Sequence, residues 1–228
     1  MDFSAFEQKI GFDFRDKRFL EAAFTHRSYL NENRRVGAEH NERLEFLGDA
    51  VLELVVTEFL YAKYPEKPEG DLTAYRAALV NTQSISGAAQ ELGMNEFMLL
   101  SRGEARDTGR ARQIILANAF EALIGALYLD QGYDAAKKLI ANQLFAKADE
   151  VVEKKLWQDA KSKFQEIVQD QMSVTPTYQL VDQSGPDHDK KFVVGAYIGN
   201  EKVALGEGKS KQEAEQAAAM AALKAKNW

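Results

Sequence analysis

Apolar residues return at helical spacing along the first two thirds of the chain. Leu44, Leu47, Val51, Leu52, Val55 and Val56 mark one side of a helix predicted over 38–64 and stopped by Pro65. Leu72, Tyr75, Leu79 and Ile85 predict a second helix over 72–92, ended by Gly93. Residues 114–129 are apolar on nearly every side, the pattern of a buried helix. A further helix is predicted over 134–155. Short helices rich in aromatics, with Phe3, Phe6, Ile10, Phe12 and Phe14, open the chain. No strand pattern appears in this part.

The pattern changes after residue 155. Residues 157–172 read as an amphipathic helix with Phe164, Ile167 and Val168 on one side. Pro176 opens a strand over 177–183, and 184–189 is rich in turn residues. Phe192, Val194, Ala196 and Ile198 alternate along a second strand, and Gly199-Asn200 is a hairpin signal leading to a third over 202–206. Ser210 and Glu213 form a capping box that starts a last helix. Ala214, Ala217, Ala218 and Ala221 give that helix a small-residue stripe suited to close packing on a sheet. The predicted architecture is therefore multidomain: an all-α unit over 1–155, then a small α+β unit of order α-β-β-β-α over 157–228.

Composition narrows the chemistry. Among 228 residues there is no cysteine, which removes disulfides, thiolate metal sites and cysteine nucleophiles together. That fits a reducing cytosol, and a cytoplasmic location is the expectation. No run approaches a transmembrane span and the start does not read as a signal peptide, so no membrane partner is expected. The net charge is −6, and residues 157–228 hold 9 Lys+Arg against 10 Asp+Glu. Any contact with a polyanion must come from local basic clusters.

Glu42, Glu45 and Asp49 stand at i, i+3 and i+7, on one side of the first long helix. Such a run is ordinarily a solvated face. Glu121 alters that reading, because it sits within the very apolar helix, one turn after Asn118, with no Lys or Arg beside it to act as partner. A buried carboxylate needs a partner or a metal. We expect the two helices to face each other and hold Mg²⁺. Arg102, Arg106, Arg110 and Arg112 lie in a polar stretch just before the apolar helix, readable either as a mobile phosphate-facing loop or as an ordinary solvated one. His26 is read as a helix-end residue in preference to a catalytic one.

Residues 40–50 (HNERLEFLGDA) and 116–126 (LANAFEALIGA) resemble the signature of the ribonuclease III family, and 25–29 (THRSY) its N-terminal region. Residues 161–166 (KSKFQE) and 208–218 (GKSKQEAEQAA) resemble a double-stranded-RNA-binding domain. The resemblance covers nearly the whole chain. It implies an Mg²⁺-dependent endoribonuclease (Mn²⁺ a possible substitute) acting on double-stranded RNA, not on a small molecule. Products would carry 5′-phosphate and 3′-hydroxyl ends, in rRNA and mRNA processing. Carried over by position, Glu45, Asn118 and Glu121 surround the metal, Asp49 and Glu121 are the catalytic acids, and Glu42 is a supporting carboxylate. Gln165, Glu166 and His188 would read minor grooves, while Lys209 and Lys211 would meet phosphates. The family's catalytic domain is a homodimer, and Phe46 matches the aromatic that packs into the partner; its place off the apolar stripe also allows a plain core role. Two departures stand out: Asn118 where the family often has Asp, and Gln212 where a second consecutive Lys is common. Asn118 leaves open an alternative, a duplex-RNA-binding protein with weak or no cleavage.

Overall fold

A computed structural model describes residues 2–33, 39–154, 159–186 and 190–228. They divide into two compact units, Met1–Trp157 and Gln158–Trp228. Among the described residues, the first unit is helical: α1 (Ser4–Ile10), α2 (Lys17–Phe24), α3 (Arg27–Glu32), α4 (Glu42–Lys63), α5 (Glu69–Val80), α6 (Thr82–Glu91), α7 (Arg110–Gln131), α8 (Tyr133–Ile140) and α9 (Ala146–Glu153).

The unit is assembled on the crossing of α4 and α7. Helix α7 buries Leu116, Ala117, Ala119, Phe120, Leu123, Ile124 and Leu127, as its continuous apolar character requires. Helix α4 buries Leu44, Val51, Leu52, Val55, Val56 and Leu60 along one stripe. The two backbones touch at a pair of glycines. A Cβ on Gly48 would lie 1.7 Å from the Glu121 carbonyl oxygen, and one on Gly125 would lie 2.2 Å from that of Leu44. No side chain fits in either space. By length and composition α7 could also cross a bilayer, so the expectation that no run approaches a span was too strong; most of that stretch is buried within the unit, as in a core helix.

Three expectations need correction. The helix expected over 72–92 is two helices. Asn81 breaks it at ψ 160°, accepting from the Ser84 N–H (2.9 Å) and donating to the Ala78 carbonyl (2.9 Å), so one amide serves both helix ends. The helix expected over 134–155 runs through a π-helical turn, Ala141–Phe145, between α8 and α9. The arginine-rich segment is not a free loop. It holds a 3₁₀ turn, Glu104–Arg106, its Ser101 N–H donates to Ser28 Oγ (3.1 Å), and its Arg102 N–H donates to Glu32 Oε2 (3.1 Å).

The second unit has α10 (Ala160–Met172), β1 (Thr177–Ser184), β2 (Lys191–Ile198), β3 (Glu201–Gly208) and α11 (Lys211–Lys226). The sheet is antiparallel in the order β1-β2-β3, with irregularities at Leu180/Asp182 and Ala196/Tyr197. Phe164, Val168, Val194, Ala196, Ala214, Ala218, Ala219 and Ala222 form its core. The small-residue stripe is real but rotated: Ala219 and Ala222 are buried, where Ala217 and Ala221 had been expected. A Cβ on Gly206 would stand 2.0 Å from the Ala218 nitrogen, so β3 and α11 also meet backbone to backbone. The capping box forms, with Ser210 Oγ accepting from the Glu213 N–H at 3.1 Å; the Glu213 carboxylate reaches one residue further back than usual, to the Lys209 N–H at 2.9 Å.

The glycine crossing makes a testable contrast. Gly48→Ala should lower unfolding free energy by about 3 kcal/mol, since overpacking against backbone has no soft neighbour to move. Gly87→Ala in α6, where nothing lies within 4 Å of the new Cβ, should instead raise it by about 0.5–1 kcal/mol. Urea denaturation of both variants measures the difference.

Candidate active site

The glycine contact decides which side chains meet. Gly48 is flanked on α4 by Glu45 and Asp49, and its neighbour across the crossing is the Glu121 backbone itself. Helix α7 adds Asn118 one turn before Glu121. Glu45, Asn118 and Glu121 are half-buried, while Glu42 and Asp49 are exposed.

These groups feel one another. Burial pushes the Glu121 carboxyl up to about 7, with the charges of Asp49, Glu45 and Glu53 adding to the shift. Burial also raises Glu45, helped by the charges of Glu42 and Asp49, and the Asn118 amide hydrogen-bonding to Glu45 works the other way. Among the described residues, no Lys, Arg or His forms an ion pair with Glu45, Asp49 or Glu121. Helices have thus brought together three carboxylates without a counter-charge. They do not close on a common point: among the described residues no three His, Cys, Asp or Glu side chains are grouped tightly enough to hold an ion. Like charges repel, which disfavours the close approach of such oxygens where no cation lies between them.

Glu42 is placed differently from the inner acids. Arg27 Nη1 lies 3.3 Å from its Oε1, and His40 Nδ1 lies 3.8 Å from its Oε2. Glu53 is a residue that the reading from sequence missed. It lies one turn beyond Asp49 on the same face of α4, a signal present in the i, i+4 spacing, and it pairs with Arg76 Nε at 2.7 Å.

His26 holds the start of α3. Its ring accepts from the Ser28 N–H (3.3 Å), and its Nδ1 lies 2.8 Å from Ser28 Oγ. Burial keeps its pKa below the usual histidine value. Arg102, Arg106 and Arg110 are exposed, whereas Arg112 turns inward and donates to the Glu104 and Asp107 carbonyls at 2.9 and 3.1 Å. Phe46 is 83% exposed, so it is not a core residue.

In the second unit Gln165 and Glu166 are exposed on α10, and Lys209 and Lys211 are exposed at the start of α11. His188 lies outside the described residues. The Glu213 carboxylate, held on the Lys209 N–H, already occupies part of that helix start.

A helical unit built on two crossed acid-bearing helices and followed by an αβββα unit has the order of a nuclease joined to a duplex-RNA-binding module, and comparison with known families assigns both. Residues 16–148 match the family described as ribonuclease-III-like, and residues 160–226 match the double-stranded RNA binding motif. The chain belongs to the ribonuclease III family, the endoribonucleases of double-stranded RNA. Proteins named Ribonuclease 3 are similar to it over most of their length. The one from Enterococcus faecalis is 46% identical over 218 residues, covering 96% of this chain and 94% of that protein. The one from Geobacillus kaustophilus is 47% identical over 221 residues, covering 97% and 89%. Among solved structures, the nuclease domain of ribonuclease III from Campylobacter jejuni is 41% identical with a TM-score of 0.56, covering 62% of this chain and 98% of that one. That structure is described by flexibility in a region involved in dimer formation.

Folding raises the Glu121 pKa from 4.5 to about 7, so the folded state prefers the protonated acid. This contribution to stability is fully present below about pH 4.5 and is lost as pH rises through about 7. In EDTA, the melting temperature should therefore fall as pH rises from about 5 to about 8. Glu121→Gln should flatten that slope, and thermal melts across the range measure it.

Proposed function

We propose that the chain hydrolyses phosphodiester bonds of double-stranded RNA with Mg²⁺ (Mn²⁺ as substitute), leaving 5′-phosphate and 3′-hydroxyl ends, and so serves rRNA and mRNA processing in the cytoplasm. The observation that carries this reading is that Glu45 and Asp49 lie near enough to Glu121 across the glycine crossing for their charges to act on it, with no ion pair to any of the three among the described residues. The donor set fits Mg²⁺: carboxylates and an amide oxygen are the hard ligands it prefers. Glu45, Asn118 and Glu121 would hold it, and when bound it supplies an activated water and charge stabilisation at the phosphate. Asp49 and Glu121 are the catalytic acids of the proposal. Without the ion, burial and its neighbours hold the Glu121 carboxyl near neutrality; bound to it, Glu121 would stand as a carboxylate able to accept a hydrogen bond from the activated water. Glu42, already paired with Arg27, supports the site from its rim.

The exposed Arg102, Arg106 and Arg110 would bind the phosphate backbone. In the second unit Gln165, Glu166 and His188 would read minor grooves through 2′-hydroxyls, and Lys209 and Lys211 would contact phosphates across the narrow major groove. A cleavage-free duplex-RNA binder is not favoured, because relatives named Ribonuclease 3 match both units together.

The nuclease unit is proposed to act as a homodimer. Phe46 projects into solvent beside a hollow of about 1010 Å³ whose lining includes Phe19, Ala22, Leu30, Leu44 and Leu129. The same hollow is also lined by Arg18, Glu21, Glu39 and Arg43, so a partner's Phe46 would seat on its apolar part with charged groups at the rim, as an isologous two-fold contact requires. Phe46→Asp should give monomers by sedimentation equilibrium at concentrations where the parent chain is dimeric; an unchanged dimer would remove Phe46 from the interface.

Purified protein with Mg²⁺ and a long RNA duplex should yield short duplexes, and none in EDTA. Glu121→Ala should abolish cleavage, which separates it from a contaminating nuclease. Asn118→Asp should retain cleavage at an equal or lower Mg²⁺ requirement, because it adds a charged ligand. Intact RNA across a wide Mg²⁺ range would overturn the proposed activity.

A further inference from the structure

Four acids ride one face of α4, and their surroundings differ. The outer two, Glu42 and Glu53, each have a guanidinium from another helix, whereas among the described residues the inner two, Glu45 and Asp49, have no ion-pair partner. Arg76 of α5 is the better fixed of the two arginines. Its Nε stands 2.7 Å from Glu53 Oε2, and its Nη1 donates to Thr57 Oγ1 at 3.0 Å. Thr57 Oγ1 in turn donates to the Glu53 carbonyl at 2.6 Å, so Arg76 grips a full turn of α4 at two points. The Arg27–Glu42 pair is looser, at 3.3 Å with side chains 69% and 48% exposed.

Glu53 matters because its charge reaches Glu121 across the helix crossing. Asp49 and Glu53 are also i, i+4 neighbours on one face of α4, so Glu53, were it uncompensated, would offer a hard cation a second resting place. Resting on the Mg²⁺ reading above, we propose that Arg76 is a positioning residue: by neutralising Glu53 it confines the uncompensated negative charge, and with it the divalent cation, to the centre formed by Glu45, Asp49 and Glu121. Arg27 brackets the opposite end of the ladder in the same sense. The acids at the rim are thereby kept from competing for the ion, and the net attraction is focused at one point on the crossing.

A simple strap between α4 and α5 would use the same pair, and the two roles differ in sign. Calorimetric titration of the full-length, metal-free protein with MgCl₂ reads the affinity directly. Arg76→Gln leaves Glu53 uncompensated and should tighten Mg²⁺ binding about threefold or more, by the attraction of one added charge at short range. Glu53→Gln leaves Arg76 uncompensated and should weaken it by a similar factor. The double variant should return close to the parent value. Arg76→Gln should also cleave duplex RNA more slowly at saturating Mg²⁺ despite binding the ion more tightly, because the ion is shared between two places. Arg76→Lys, which keeps the charge, should bind Mg²⁺ as the parent does.

Equal affinities in all variants, or a loss of affinity in both single variants, would overturn the role of Arg76 and leave a strap. Tighter binding with unchanged cleavage would overturn the confinement. Should Arg76→Gln not fold, Glu53→Gln is read beside Arg76→Lys: weaker affinity in the first with parental affinity in the second supports the proposal, and an unchanged or tighter first, or a parallel loss in both, overturns it. Failure of the underlying metal reading looks different: the parent protein, or Glu121→Ala compared with it, would then show no site-dependent uptake of Mg²⁺ at all.

Discussion

The contact of Gly48 with the Glu121 backbone, and of Gly125 with that of Leu44, is the constraint on which the first unit depends. Two long helices normally keep 8–10 Å between axes because side chains stand between them. Two glycines remove those side chains at one point, and the axes close there. What closes with them is a set of acids, since Glu45 and Asp49 flank Gly48 while Glu121 and Asn118 flank the contact on α7. Packing and function are thus one arrangement seen from two sides. The apolar faces of α4 and α7 provide the burial that holds like charges near one another, and the fold carries that cost in the raised pKa of Glu121.

The second unit uses the same device for a different end. Gly206 lets β3 lie against the backbone of α11, and buried alanines line the helix face that receives it. The sheet and two helices then form a small core around Phe164 and Val168. With its interior settled by small residues, the surface of α10 and the start of α11 are left to polar side chains. Local lysines on an acidic chain are what the overall charge of −6 permits.

Much of this was legible in the sequence because periodicity is a property of single elements. The stripe of α4, the all-round apolar character of α7, the alternation in β2 and the Ser210–Glu213 cap each follow from spacing alone. The failures came where one residue serves two elements or where tertiary contacts override local signals. Asn81 is both the end of α5 and the cap of α6, and no Gly or Pro marks the break. The arginine segment has no apolar period, so it reads as a loose loop, yet Arg112 satisfies two of its carbonyls and Ser28 anchors its start. In the candidate site, the acids on one helix could be grouped from their spacing. Their pairing with Arg27 and Arg76, which lie on other helices, has no trace in local pattern. The depth of Glu121 was overestimated: it is half-buried, because the glycine contact places it at the mouth of the crossing and not beneath it.

Two peptide hydrogen bonds give the arginine segment its footing, and a third ties the same stretch to the start of α4. Leu99 donates to the Phe24 carbonyl and accepts from the His26 N–H, and the Thr25 carbonyl accepts from the Asn41 N–H. The three-residue stretch Phe24–His26 therefore secures both the threshold of the arginine segment and the first residue before α4. A length change in that segment meets the least resistance between Arg102 and Gly109, whose ties run to side chains, since one side is sewn down by backbone and the other is already helix. An insertion on the Leu99 side would tug instead on the stitch that also holds the root of the acid-bearing helix.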